Sequence, residues 1–160
     1  MLQPLLDFLR GNLAVWYGLP ALRVQDLVSA FGPATSSTST DLGAVVATRL
    51  SFSLIGEART LVAYSRQDEV AMVEAEPPPD LSALAPLGAP TSILPQEIWV
   101  PGAYAHEYVY DERGLLVTVA EHLDGSGLKE LVRCRGIRAF AFSERIPSDL
   151  YLPLDAKVVF

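Results

Sequence analysis

Leu2, Leu5, Leu6, Leu9 and Leu13 recur at three- and four-residue spacing, which lines one face of a helix over 2–13. Gly11-Asn12 ends or kinks that helix, and Trp16 and Tyr17 follow as anchors onto the body of the domain. After the turn Gly18-Leu19-Pro20, Leu22, Leu27, Val28 and Phe31 predict a second helix over 21–31, stopped by Gly32-Pro33. The run from Thr35 to Thr40 offers no core-forming side chain and reads as a polar loop. Strand patterns then occupy 45–55, 60–65 and 70–76, with Gly56-Glu57-Ala58 and Arg66-Gln67-Asp68-Glu69 as turns. Pro77-Pro78-Pro79 is too stiff and donor-poor for helix or strand, and marks a seam.

Beyond the seam the same order returns. An apolar stretch, Leu81 to Leu87, is read as a short helix that Pro86 cuts towards a single turn, and Gly88-Ala89-Pro90 closes it. Strand patterns follow at 98–100, 104–110 and 115–122, the last two joined by the hairpin signal Asp111-Glu112-Arg113-Gly114. Leu131 to Arg135 and Ile137 to Phe142 complete the set, with Gly136 as a candidate bulge and an apolar tail over 147–160. Val24 to Ser36 parallels Asp80 to Ser92, each a short helix, a Gly/Pro stop and Thr-Ser. Tyr64 to Glu74 parallels Tyr110 to Glu121, each a tyrosine-ended strand, a charged turn and an apolar strand. The expected architecture is therefore a single α+β domain over 1–160. Two degenerate helix-plus-antiparallel-meander repeats, about 20–76 and 80–142, form one continuous sheet with helices on one face.

Leu87-Gly88-Ala89-Pro90 and Tyr110-Asp111-Glu112-Arg113-Gly114-Leu115, with Phe31-Gly32-Pro33 as an approximate copy, resemble the β-lactamase-inhibitor-protein-like fold and the single-unit SmpA/BamE-type lipoprotein domains. The resemblance covers most of 20–142 through short motifs. It implies a tandem of two units whose free, concave, aromatic-bearing sheet face binds protein. The chain lacks the disulfides of the secreted members and the lipobox of the lipoproteins, which puts an envelope role in doubt.

Pairing Tyr110 with Leu115 puts Tyr104, His106, Tyr108 and Tyr110 on one face with Leu115, Val117, Val119 and Glu121. Two readings of that stripe stand open. Packed against the helices it is core, which leaves Glu107, Thr118 and His122 on the exposed reverse face; turned outward it is a tyrosine-rich binding surface. His106 and His122 fall on opposite faces, so no shared metal site is expected. Cys134 is the only cysteine; Arg133 and Arg135 point away from its face of the strand, and a buried, inert thiol is expected. No nucleophile elbow, phosphate-binding loop or dinucleotide fingerprint occurs. Asp68, Glu69, Glu74, Glu76 and Asp80 gather around the seam, either as a solvated strand end or as a hook for a basic partner.

Composition narrows the functional classes. The 160 residues are 50% hydrophobic and 19% charged, enough for a real core and too apolar for disorder. A net charge of −7 argues against nucleic acid and anionic membranes, and the N-terminus has neither signal-peptide nor membrane-span pattern. A lone cysteine and no signal point to the cytoplasm. The leading expectation is a non-enzymatic bacterial protein-binding module without cofactor, in its most concrete form an inhibitor or immunity protein, with Trp99, Tyr104, His106, Tyr108, Tyr110, Asp68 and Glu69 as contact residues. The alternatives are a small-ligand or enzymatic domain with a pocket between sheet and helices lined by Trp99, Tyr108 and Tyr110, or a structural subunit. The oligomeric state stays open.

Overall fold

Helix α1 (Gln3–Leu9) carries Pro4 in its first turn, where a missing N–H leaves no bond unmade. Leu5 and Leu9 are buried as their spacing predicts and Phe8, outside that pattern, is buried with them, while Leu2 and Leu6 are only partly buried. The helix is shorter than the pattern implied. Gly11, at φ +81°, breaks it, and Leu13 enters the core from a separate 3-10 turn, Leu13–Val15. Trp16 is fully buried, its ring 4.8 Å from that of Phe8, whereas Tyr17 lies on the surface beneath the Arg113 guanidinium. A computed structural model describes residues 2–42, 45–95 and 102–141 of the chain.

Helix α2 (Val24–Phe31) starts three residues later than expected, because the Asp26 carboxylate accepts the Arg23 backbone N–H and fixes the N-terminus there. Gly32, at φ +84°, ends it as foreseen. The stretch Leu81–Leu87 is a 3-10 helix with Pro86 inside and Leu84 buried.

Eight strands form one antiparallel sheet: β1 (Ser36–Leu42), β2 (Val45–Ser53), β3 (Thr60–Arg66), β4 (Glu69–Glu76), β5 (Ser92–Pro95), β6 (Ala103–Tyr110), β7 (Leu115–His122) and β8 (Lys129–Gly136). Their spatial order, β1-β2-β3-β4-β8-β7-β6-β5, is a four-strand meander on each side of the β4/β8 junction. That junction is short, with Val73 opposite Gly136 and Glu74 opposite Arg135.

Four readings of the sequence change. The Ser/Thr run is not a loop but the edge strand β1, paired along its length with β2 from Ser36↔Ser51 to Leu42↔Val45. Ser92–Pro95 forms the opposite edge strand, while the strand read at 98–100 lies outside the described residues, as does the tail 147–160. Ile137 to Ala141 is not a strand. It continues from β8 as extended chain, tied by Ile137 N–H to Gly114 O at 2.7 Å and Phe140 N–H to Asp111 O at 2.9 Å. Gly136 is no bulge either; the irregularity in this pair falls at Thr118/Val119. A Cβ on Gly136 would sit 2.6 Å from the Trp16 ring, so the glycine is there for close packing.

The two proposed hairpin copies also occupy different places. The Tyr64 hairpin joins the third and fourth strands of its half, whereas the Tyr110 hairpin joins the second and third of its own. The larger apolar cluster takes Leu5, Phe8, Leu9, Leu13, Trp16, Leu27 and Leu84 from the helical segments, and Phe52, Leu61, Val73, Leu115, Val117 and Cys134 from the sheet. A second cluster, of Ala47, Val62, Tyr64, Met72, Val109, Leu116 and Ile137, contains no helix residue.

Candidate functional site

The β6–β7 register is the one the turn residues implied: Tyr110 opposes Leu115, Tyr108 Val117, His106 Val119 and Tyr104 Glu121. Exposure rises from one end of that stripe to the other. Tyr110 is 5% exposed and belongs to the helix-side core, where burial, then the neighbouring Tyr108, pushes its phenol above the usual range. Tyr108 is half-buried against the same core, His106 is half-buried, and Tyr104 reaches 45% exposure. Edge strand β5 extends the emerging end, with Ile93 opposite Tyr108 and itself 50% exposed. The stripe is therefore core at one end and surface at the other. Tyr110 is withdrawn from any contact surface, because its ring is buried in the larger apolar cluster. Trp99 lies outside the described residues. Of the residues expected to line a pocket between sheet and helices, Tyr110 is buried in the larger apolar cluster and Tyr108 is partly buried against it.

The reverse face is also a correction. Glu107 and Thr118, expected in solvent, are fully buried. They are there because Arg135, itself fully buried, forms an ion pair with Glu107 while the Thr118 hydroxyl donates to the second carboxylate oxygen at 2.8 Å. Glu107 (β6), Thr118 (β7) and Arg135 (β8) are thus linked through the Glu107 carboxylate across three strands.

A second group continues the row. Arg133 donates through Nε and Nη2 to Glu74 Oε1 at 2.9 and 2.5 Å, and the Tyr64 hydroxyl bonds the same oxygen at 3.1 Å. Burial, followed by the Glu74 carboxylate, pushes the Tyr64 phenol up against the opposing pull of Arg133 and Arg49. Burial works against the Arg133 charge, but Glu74 and Tyr64 together outweigh it and the guanidinium is held more firmly protonated than usual. Arg49 reaches Glu76 at 2.7 Å.

The acidic residues consequently do not make one hook. Glu74 is inside this network and Glu76 is paired at one end of the sheet. Asp68 and Glu69 sit at the opposite end, in the β3–β4 hairpin, where Gln67 and Asp68 adopt φ +50° and +69°. There Arg23 approaches Asp68 at 3.8 Å and Arg138 approaches Glu69 at 3.3 Å.

Cys134 is buried on the helix side, and Arg133 and Arg135 lie on the other face, as the alternation required. Burial, then the Glu74 charge, pushes its thiol up to about 12. His106 and His122 fall on opposite faces. His122 Nε2 lies 3.5 Å from Glu130, and among the described residues no three His, Cys, Asp or Glu side chains gather in a way that could hold a metal ion. No described helix is long and apolar enough to cross a membrane.

A cleft of about 530 Å³ opens where the β3–β4 hairpin meets the chain after β8. Val46, Val70, Ala71, Ile137 and Phe140 supply apolar wall, and Arg66, Glu69 and Arg138 supply charge. Two backbone events shape it. A register shift between Tyr64 and Ser65 leaves Ala71 without a direct partner on β3, and the chain leaves the sheet after Gly136. Sequence reasoning does not single out its arginines. Their proximity depends on residues about 70 positions apart in the chain, and the one local sign is a charged hairpin tip beside apolar strands.

No protein-family model and no curated protein sequence matches the chain. Among solved structures it is similar to the crystal structure of a DUF4309 family protein (YjgB) from Bacillus subtilis subsp. subtilis str. 168, with a TM-score of 0.50 and 13% identity over 85% of this chain and 99% of that one. At that identity the likeness concerns the fold alone.

Proposed function

We propose that this chain is a protein-binding module of duplicated helix-plus-meander build, and that it makes contact through the emerging end of the β6 stripe. Tyr104, His106 and the outer part of Tyr108 form the surface together with Ile93. The observation that carries the reading is the exposure gradient from Tyr110 to Tyr104. The stripe brings Tyr104 to the surface from a β6 strand whose other end is rooted in the core, and tyrosine offers contact area at low entropic cost.

Duplication is supported by the mirrored strand order and by matched stops. Gly32 and Gly88 both adopt positive φ, and the Thr35 and Thr91 N–H groups donate at 2.7 Å to Ser51 and Val109 on the second strand of their own meanders. This correspondence favours kinship with the tandem inhibitor-like fold, although the tyrosine hairpins are offset by one strand. In that setting the partner is an enzyme that the module restrains, as an inhibitor or immunity protein does, and the net charge of −7 favours a basic one. A reduced, buried lone cysteine suits the cytoplasm as the place of action.

The test is a photo-crosslinking residue placed at Tyr104 and, as control, at the exposed helix position Ser29, each in the native host. A discrete protein adduct at 104 alone is expected. Tyr104→Ala should then weaken binding of the purified partner at least about tenfold, the scale on which truncating an aromatic anchor weakens an interface. Equal labelling at both positions, or unchanged affinity, overturns the assignment.

A further inference from the structure

Strand β1 closes one edge of the sheet, and among the described residues no strand pairs with the backbone N–H and C=O groups on its outer side. We propose that this edge pairs with the same edge of a second copy of the chain, antiparallel and about a two-fold axis at Ser39, so that two sheets continue into one.

The contrast between the two edges is the first support. Natural sheets blunt an edge by making it short, by placing charge or proline on it, by a bulge, or by covering it. At the opposite edge, β5 has four residues and ends in Pro95, which has no N–H to donate. Strand β1 uses none of these devices. It runs for seven residues without proline, lysine or arginine, and its only charge, Asp41, stands near its end. Its pairing with β2 continues without a register shift, whereas the β3–β4 and β7–β8 pairs each carry one. Ser36 to Ser39 are exposed, so the edge is uncovered there.

Self-complementarity is the second support. An axis at Ser39 is the arrangement that engages all seven residues of both strands. Ser39 then faces its own copy, Thr38 faces Thr40 of the second copy, and Ser37 faces Asp41. Threonine pairs are favourable across strands, and the Ser37 hydroxyl is a donor set opposite a carboxylate acceptor. The two Asp41 carboxylates stand four residues apart along the ladder, about 14 Å, which is beyond the screening length of about 8 Å at physiological salt.

The ladder is short and polar, and each copy carries a net charge of −7, so the dimer is a weak one with a Kd of roughly 10 µM to 1 mM. Strands β1 and β5 end the sheet on opposite sides, so pairing at β1 leaves β5 and the β6 stripe open at both far ends. A partner with two matching sites would then meet two stripes at once. The pairing itself does not depend on what the stripe binds.

Sedimentation equilibrium of the full chain across that concentration range should show monomer and dimer in exchange. Ser39→Lys should weaken the dimer about tenfold, because it sets like charges directly opposite each other. Ser29→Lys makes the same change in net charge on the exposed side of α2 and should leave the association as it is. Ser39→Cys brings two thiols to the axis, where facing Cα atoms are about 4.5–5.5 Å apart and within disulfide reach. Ser37→Cys leaves its two thiols about 14 Å apart, too far to join. Copper-phenanthroline oxidation should therefore crosslink the first variant and not the second, with the buried Cys134 standing aside in both. A chain that stays monomeric at about 1 mM, equal crosslinking of the two cysteine variants, or equal association of Ser39→Lys and Ser29→Lys would each overturn the proposal.

Discussion

Replacing Arg135 by methionine tests whether the buried charges of the reverse face are held by one another. Arg135 and Glu107 are both fully buried, and Thr118 donates a further hydrogen bond to the Glu107 carboxylate. Removing the guanidinium strands that carboxylate in a low-dielectric interior, which costs about 3–5 kcal/mol. In a chain of 160 residues each kcal/mol lowers Tm by roughly 2–4 °C, so Arg135→Met should lose roughly 6–20 °C. The informative comparison is the triple variant Glu107→Leu, Thr118→Val, Arg135→Met, which removes all three polar side chains together. It should recover most of the loss, and replaced buried ion pairs often end more stable than the parent by about 1–4 kcal/mol. Urea unfolding followed by circular dichroism gives each midpoint, and a mutant cycle over the three sites gives the coupling. If the triple variant is as unstable as the single one, the loss comes from packing, and the account of a mutually satisfied triad is wrong.

Two further outcomes follow from burial and backbone geometry. With its thiol pushed up to about 12, Cys134 should resist a disulfide reagent at pH 8 in the native state and react fully in urea; because the unfolded thiol ionises near 9, stability should fall above pH 9 at about 1.4 kcal/mol per pH unit until the folded group also ionises, and Cys134→Ala should remove that slope. Gly114→Ala combines φ +55° with a Cβ that would meet the Ile137 carbonyl oxygen, so it should cost about 1–3 kcal/mol for overpacking plus about 1–2 for the left-handed backbone, while Gly56→Ala, at φ +81° in open space, should show only the second part in thermal melts.

The parts of this fold that sequence reveals are those governed by local rules. Asp111 to Gly114 announces a turn, Gly114 occupies its left-handed position, and from Tyr110↔Leu115 onward strict alternation settles the face of every residue on β6 and β7. The same parity separates His106 from His122 and Cys134 from its flanking arginines. Strand β1 escapes because the hydrophobic code is silent at a sheet edge. Ser36 to Ser39 are exposed on both faces, so no alternation exists to be read, and only the β-branched Thr38 and Thr40 favour extended chain. Glu107 escapes for the opposite reason. A carboxylate at an inward position looks misplaced until Arg135, 28 residues away, is brought to it across an intervening strand.

The distribution of burial decides where function can reside on such a sheet. On β7, Leu115, Val117 and Val119 are buried on the helix side while Leu116, Thr118 and Ala120 are buried on the other, and β3 repeats the pattern with Leu61 and Ala63 against Val62 and Tyr64. Over these stretches the strands are closed on both faces and have no side chain to offer a partner. What remains is the periphery: the outer end of β6 beside β5, where a core tyrosine stripe reaches solvent, and the hairpin end, where the sheet stops and a cleft with arginines at its rim begins. The charged row of the reverse face then serves to hold the two meanders together, since Glu74 from the first half binds Arg133 from the second directly beside the two-residue β4/β8 junction. Backbone pairing there is brief, and this ion pair adds to the larger apolar cluster, which takes residues from both meanders.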